Sequence, residues 1–168
     1  VEKMGGIITV ESKLGEGSCF TVILPFKIDT NARLEEKEDF NADISGVRIL
    51  LVEDNELNAE IAVELLKLVG LEVDHAANGQ EAVELFQQSA AAYLMIFMDI
   101  QMPLMNGYEA ARIIRGSAAA SAQSIPIIAM TANAFRDDVQ AALDAGMNGH
   151  IAKPIDVDIL YKTISEYA

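Results

Sequence analysis

Ten residues constrain this chain more than any others: Leu94-Met95-Ile96-Phe97-Met98-Asp99-Ile100-Gln101-Met102-Pro103. Five apolar residues run without a break into a single carboxylate. A continuous apolar run this short, bounded by turn residues, fits a strand buried on both faces, as in a parallel sheet. Pro103 cannot extend a hydrogen-bonded ladder and Asn106-Gly107 signals a turn, which sets Asp99 at the strand's C-terminal end. In open α/β sheets that end is where ligands bind. Taken alone, the stretch also allows a plainer role, an aspartate that caps the next helix. The rest of the chain decides between the two.

The rhythm of strand and helix repeats from Val47 onward. Residues 47–52 form the first predicted strand, ending at Glu53-Asp54-Asn55. A helix follows with Leu57, Ile61, Leu65, Leu66 and Val69 on its apolar face and Gly70 at its end. Residues 71–76 form the second strand and 79–88 the second helix. The opening stretch is the third strand, with a helix over 108–115. The Ala- and Ser-rich residues 116–124 form a loop or a frayed extension of that helix, 125–130 the fourth strand and 135–144 the next helix. Residues 149–152 form the fifth strand and 155–167 the last helix. Five such repeats with short connections predict an α/β fold: a five-stranded parallel sheet, doubly wound, flavodoxin-like, with strand order 2-1-3-4-5.

Parallel strands open their C-terminal ends onto one edge. There the first delivers Glu53 and Asp54, the third Asp99, the fourth Thr131 and the fifth Lys153. The second delivers nothing charged beyond His75, read as structural or exposed. Carboxylates crowded together repel by roughly 4 kcal/mol per pair at ~4 Å and an effective dielectric of ~20. A divalent cation relieves that repulsion, and an all-oxygen set with room for water suits Mg²⁺ or Mn²⁺ better than Zn²⁺. A metal cluster alone has no use for Lys153. An incoming phosphoryl group does, because Lys153 and the Thr131 hydroxyl can each take one of its oxygens. Asp99 then becomes an in-line nucleophile.

Composition narrows the partners. A net charge of −14 argues against nucleic acid, whose phosphates recruit positive surface. A single cysteine, Cys19, excludes an internal disulfide and fits a reducing compartment. No apolar run reaches the ~18 residues of a membrane span, so no direct membrane contact is expected. Residues 27–46 are rich in charge and poor in large apolar side chains, which predicts a solvated acidic linker, with transient helix over 32–39. Before it, residues 7–11 and 18–24 read as a β-hairpin turning at Gly15-Glu16-Gly17.

Residues 47–168 resemble the receiver domain of two-component signalling over its full length. The motifs are Leu51-Val52-Glu53-Asp54-Asn55, Met98-Asp99-Ile100-Gln101-Met102-Pro103, Met105-Asn106-Gly107, Met130-Thr131-Ala132-Asn133-Ala134 and Lys153-Pro154. Residues 1–26 resemble the C-terminal end of a sensor histidine kinase's ATP-binding domain, through Met4-Gly5-Gly6, Gly15-Glu16-Gly17-Ser18-Cys19-Phe20 and Leu24-Pro25. Together they imply part of a hybrid sensor histidine kinase. The nucleotide motifs of the kinase domain are not in this chain, so it is not expected to bind ATP.

The resemblance implies that Asp99 is the phosphoacceptor. It implies Glu53, Asp54, Asp99 and the Gln101 backbone carbonyl as metal ligands, Thr131 as switch hydroxyl, Lys153 as phosphate-sensing cation and a cis Lys153-Pro154 bond. His150 stands where many receivers carry an aromatic switch, and a plain surface role for it is equally open. Gln101 and Asn133 lie where the family tunes attack by water. The implied phosphoryl donor or acceptor is a histidine kinase dimerisation domain or a histidine phosphotransfer domain, and a homodimer is left open. The implied location is cytoplasmic, below a parent kinase in the inner membrane. The expected output is a further phosphotransfer or autoregulation rather than transcription. Three other readings are weighed: a degenerate receiver used for docking, an aspartate-nucleophile phosphatase, and a flavodoxin-like nucleotide binder. The first would ordinarily have lost Asp54, Asp99 or Lys153. The second wants an acid where this chain has Gln101, and the third a Gly-rich loop in place of Glu53-Asp54. A lone hairpin is marginal in water, so the N-terminal segment is expected to pack weakly. Hydrogen exchange should find little amide protection from Ile7 to Leu24, and strong protection there would contradict this.

Overall fold

The computed structural model describes residues 1–15, 17–25, 44–132 and 136–167, without the side chains of Arg136 and Asp137. The chain divides into two compact units, Val1–Glu38 and Asp39–Ala168. In the first, β1 (Ile7–Lys13) pairs antiparallel with β2 (Gly17–Ile23), from Ile7 opposite Ile23 to Lys13 opposite Gly17. Gly15 and Gly17 take φ of 83° and 97° at the turn, a region that side-chain-bearing residues avoid. Every residue of both strands is exposed, including Ile7, Val10 and Phe20. Glu16 and the helix expected over 32–39 lie outside the described residues.

The second unit is the α/β domain. Its strands are β3 (Arg48–Val52), β4 (Glu72–Ala76), β5 (Tyr93–Asp99), β6 (Ile127–Thr131) and β7 (Gly149–Ala152). They form one sheet in the order β4-β3-β5-β6-β7, all neighbours parallel. That is the expected order, 2-1-3-4-5. Its helices are α1 (Glu56–Leu68), α2 (Gly79–Ser89), α3 (Gly107–Gly116), α4 (Arg136–Asp144) and α5 (Val157–Tyr167).

The pleat divides the core in two. Leu50, Val52, Ile96, Met98, Ile127 and Ala129 face one layer with Phe86 of α2, Ile114 of α3 and Ala142 of α4. Ile49, Leu51, Met95, Phe97, Ile128 and Met130 face the other with Leu66 of α1 and Leu160 and Ile164 of α5. Alternate residues thus point to opposite faces and both are covered, which is why β5 reads as an unbroken apolar run.

Several boundaries moved for identifiable reasons. The fourth strand starts at Ile127, not Ile125, because Pro126 has no N–H; its carbonyl still accepts from Ile96 N–H at 2.8 Å. Asp156 caps α5, its Oδ1 accepting from the N–H groups of Asp158 and Ile159, so that helix begins at Val157. Phe135 lies outside the described residues. Asn106 is less a turn residue than the N-cap of α3, in a capping box with Glu109. The folded domain also reaches back before Val47: Ile44 is only 4% exposed and packs in the core.

The apolar face expected for α1 needs correction. Ala59, Ala62 and Leu66 are its buried residues, while Leu57 and Ile61 are 65% and 51% exposed. Of the expected face Leu66 is buried and Leu65 and Val69 pack half-buried against the core, but Ala59 and Ala62 complete the inner side while Leu57 and Ile61 fall on the outer one. Nothing in the apolar periodicity alone separates the two stripes.

Away from the site, Arg115 ties three segments together. Its guanidinium donates to Gly146 O at 2.8 Å, Ala122 O at 2.7 Å and Asn148 Oδ1 at 2.7 Å. Burial lowers its pKa, and the bonds compensate a cation removed from water. Arg115→Ala should cost about 1–3 kcal/mol in urea denaturation, and Arg115→Lys should recover little, because one ammonium cannot span the same fork.

Candidate active site

β3 and β5 lie side by side at the point where the winding of the sheet reverses, and both end in acids. Asp99 is the last residue of β5, and Met98 beside it is fully buried. The backbone around Asp99 is crowded. Gly107 N–H donates to Ile100 O at 3.0 Å, and a Cβ at Gly107 would collide with the Asp99 carbonyl oxygen. Glycine is required there for close approach, not for a turn. Glu53 and Asp54 follow β3 directly, and Lys153 follows β7, its N–H bonded to Thr131 O at 2.8 Å. The Lys153-Pro154 bond is cis, as expected.

The side chains converge on a cleft of about 200 Å³ lined by Glu53, Asp54, Asp99, Gln101, Thr131 and Lys153, among others. One oxygen from each of Glu53, Asp54 and Asp99 lies within 4.8 Å of the others. Glu53 and Asp99 are buried and Asp54 is exposed. The Lys153 ammonium sits between the two buried acids, 2.5 Å from Glu53 Oε2 and 2.6 Å from Asp99 Oδ2. The second oxygens are also held: Asn58 Nδ2 donates to Glu53 Oε1 at 3.1 Å, and Gln101 N–H to Asp99 Oδ1 at 3.2 Å.

Burial raises the Asp99 carboxyl above the usual carboxylate range. The hydrogen bond and charge of Lys153 pull it down without cancelling burial, and the Glu53 charge adds to the rise. Burial alone would lower Lys153, but its bonds to Asp99 and Glu53 outweigh that and hold the ammonium above the usual lysine range.

This donor set fits a hard divalent cation: it is all oxygen, anionic and clustered, and among the described residues Glu53 Oε2 has no partner beyond the Lys153 ammonium. A buried nucleophilic carboxylate, two further acids, a hydroxyl and a lysine can together accept and hold a phosphoryl group.

A family model described as response regulator receiver domain matches residues 49–165. The chain belongs to the receiver domain family. It is 35% identical over 170 residues to the aerobic respiration control sensor protein ArcB of Escherichia coli, covering 99% of this chain and 21% of that protein. The chain thus spans about a fifth of that curated relative. The receiver domain of sensor histidine kinase PA1611 from Pseudomonas aeruginosa, whose structure has magnesium coordinated in its active site cleft, superposes with a TM-score of 0.67. It is 36% identical, over 73% of this chain and 98% of that one. The Ssk1 receiver domain of Saccharomyces cerevisiae, solved with the histidine phosphotransfer protein Ypd1, gives a TM-score of 0.66. There the identity is 34%, over 73% and 89% of the chains.

Within the receiver domain, Glu53, Asp54, Asp99, Gln101, Thr131 and Lys153 all line one cleft. His150 does not: it is exposed on β7, in register with Ala129. Asn133 lies outside the described residues. Sequence reasoning passed over Asn58, Tyr108 and Asp138, which also line the cleft. Asn58 was findable, since a polar residue in the first turn of the helix after Glu53 faces back toward that strand end. Asp138 comes from α4 and carries no local signal.

The raised Asp99 pKa sets a pH dependence. The folded state holds this proton more tightly than the unfolded chain, so ionising Asp99 costs stability as pH rises above the ordinary value of ~3.9. In chelator, Asp99→Asn should therefore match wild type near that pH and become progressively more stable than it as pH rises. Thermal melts across pH would show it, and a gap that narrows with rising pH would refute it.

Proposed function

We propose that Asp99 accepts a phosphoryl group from a phosphohistidine with the help of Mg²⁺, as the receiver of a phosphorelay within a hybrid sensor histidine kinase. The observation that carries this reading is the buried Asp99 carboxylate sharing a single cleft, and a single ammonium, with Glu53. An Asp99 carboxylate oxygen attacks phosphorus; the P–O bond forms as the P–N bond breaks, and the electron pair stays on the departing imidazole nitrogen. Lys153 transfers its charge from carboxylate to phosphoryl oxygen, and the Thr131 hydroxyl takes another. Glu53, Asp54, Asp99 and the Gln101 carbonyl would hold the metal, which when bound neutralises charge on the phosphoryl oxygens.

The phosphatase reading loses ground in the geometry. Gln101 offers Asp99 a backbone N–H instead of a second acid. A pure docking role leaves the complete acid–lysine cluster without a use.

Leu57 and Ile61 lie one turn apart on the exposed side of α1, whose N-cap Asn55 and first-turn Asn58 line the cleft. They offer a helical phosphohistidine donor an exposed apolar anchor on the helix that opens at the cleft. The reading places the domain in the cytoplasm, as one module of a membrane-anchored sensor.

Intact mass after incubation with acetyl phosphate and Mg²⁺ tests this. Wild type should gain one phosphoryl group, chelator should abolish the gain, and Asp99→Asn should show none. Leu57→Ala with Ile61→Ala should keep the reaction with acetyl phosphate but slow transfer from a phosphorylated histidine phosphotransfer domain about tenfold or more. No mass gain from either donor in folded protein would overturn the proposal.

A further inference from the structure

We infer that His75 is a positioning residue for the metal-binding acids, its side chain replacing a strand hydrogen bond that the backbone of β4 stops supplying. The inference rests on the reading of Glu53 and Asp54 as metal ligands.

The register of β3 and β4 shows where the bond goes missing. Val52 lies opposite Ala76, and the next link upward is Glu53 N–H donating to Ala76 O at 3.0 Å. In a parallel ladder the following bond returns to Glu53 O from the backbone N–H of residue 78. Here β4 ends at Ala76, and Asn78 turns away to cap α2, accepting from Glu81 N–H through its side chain. The His75 ring fills that place: its Nε2 lies 2.8 Å from Glu53 O. The partner is a carbonyl oxygen, so Nε2 carries the proton and donates.

Glu53 is thereby held at its backbone N–H by Ala76 and at its C=O by His75. Its side chain is held at Oε1 by Asn58 and at Oε2 by Lys153. Of these, Lys153 must release when charge is rearranged in the cleft, whereas His75 acts on the backbone and lies outside it. The peptide unit that His75 fixes joins Glu53 to Asp54, so a single bond orients both acids. Presenting ligands from a fixed backbone lowers the ordering cost of binding a cation. A hydrophobic side chain at position 75 would leave that carbonyl to water, and the two acids would be free to rock at the strand end.

The test is Mn²⁺ binding to the whole chain, followed by electron paramagnetic resonance without any phosphodonor. His75→Ala should weaken Mn²⁺ by about three- to tenfold, in keeping with loss of an outer partner at a half-open site. His75→Gln, whose amide reaches as far as Nε2 and donates in its place, should restore affinity to within about twofold. With acetyl phosphate, the Mg²⁺ concentration for half-maximal rate should rise by the same factor in His75→Ala, while the rate at saturating Mg²⁺ stays unchanged. A Mn²⁺ affinity unaltered in His75→Ala overturns the inference, as does equal weakening in both variants, which would mark lost packing instead of a lost donor. A fall in saturated rate without a change in affinity also overturns it. Wild type failing to bind Mn²⁺ would sink the metal-site reading itself, and this inference with it.

Discussion

One ammonium group holds the functional end of this domain together. Lys153 lies within 2.6 Å of two carboxylates that the fold has removed from water, Glu53 at the end of β3 and Asp99 at the end of β5. Like charges gathered in a poorly solvated space are tolerated only with a compensating cation. The lysine directly follows a third strand, β7, at the far side of β6. Sheet order, strand length and the loop after β7 must all be right before the charges balance. The same arrangement is poised for exchange: a cation and a phosphoryl group can take over the partners that the acids and the ammonium now supply to one another.

The fold around this ion pair is built to keep it in register. Two covered faces make the sheet rigid, with Phe86 and Ile114 on one side and Leu66 and Ile164 on the other, all fully buried. Reactive groups then sit on the loops just beyond the strand ends, where backbone is free to approach a ligand. Glycine permits the closest of these approaches: α3 can begin against the backbone of Asp99 only because Gly107 has no side chain. Capping residues fix where the helices start, Asn55 on α1 and Asn106 on α3. Local chemistry and the global charge balance therefore point to one arrangement.

The N-terminal unit gives a contrast. Its hairpin has complete backbone pairing, yet every strand residue is exposed and several are large and apolar. Backbone hydrogen bonds alone stabilise such a pair weakly. The receiver unit gains from layers that bury both faces, and the hairpin has none among its own described residues.

The amino-acid order by itself determined the architecture and the reactive set. Five strand-like segments, each followed by a helical pattern and four of them leading to a polar residue of the cleft, leave few topologies. Asp99, Glu53, Asp54, Thr131 and Lys153 were legible because each ends or follows a strand, so one rule of parallel sheets gathers them. What the order could not settle was which of two stripes on α1 faces inward, because alanine and leucine both satisfy the helical period and only packing against the sheet buries Ala59 and Ala62. Nor could it reveal that Asp138 joins the cleft from α4, or that His75 reaches across to the carbonyl of Glu53. Those contacts join residues far apart along the chain, and their distances exist only once the sheet has formed. Periodicity reports the faces of an element; tertiary packing decides what meets them.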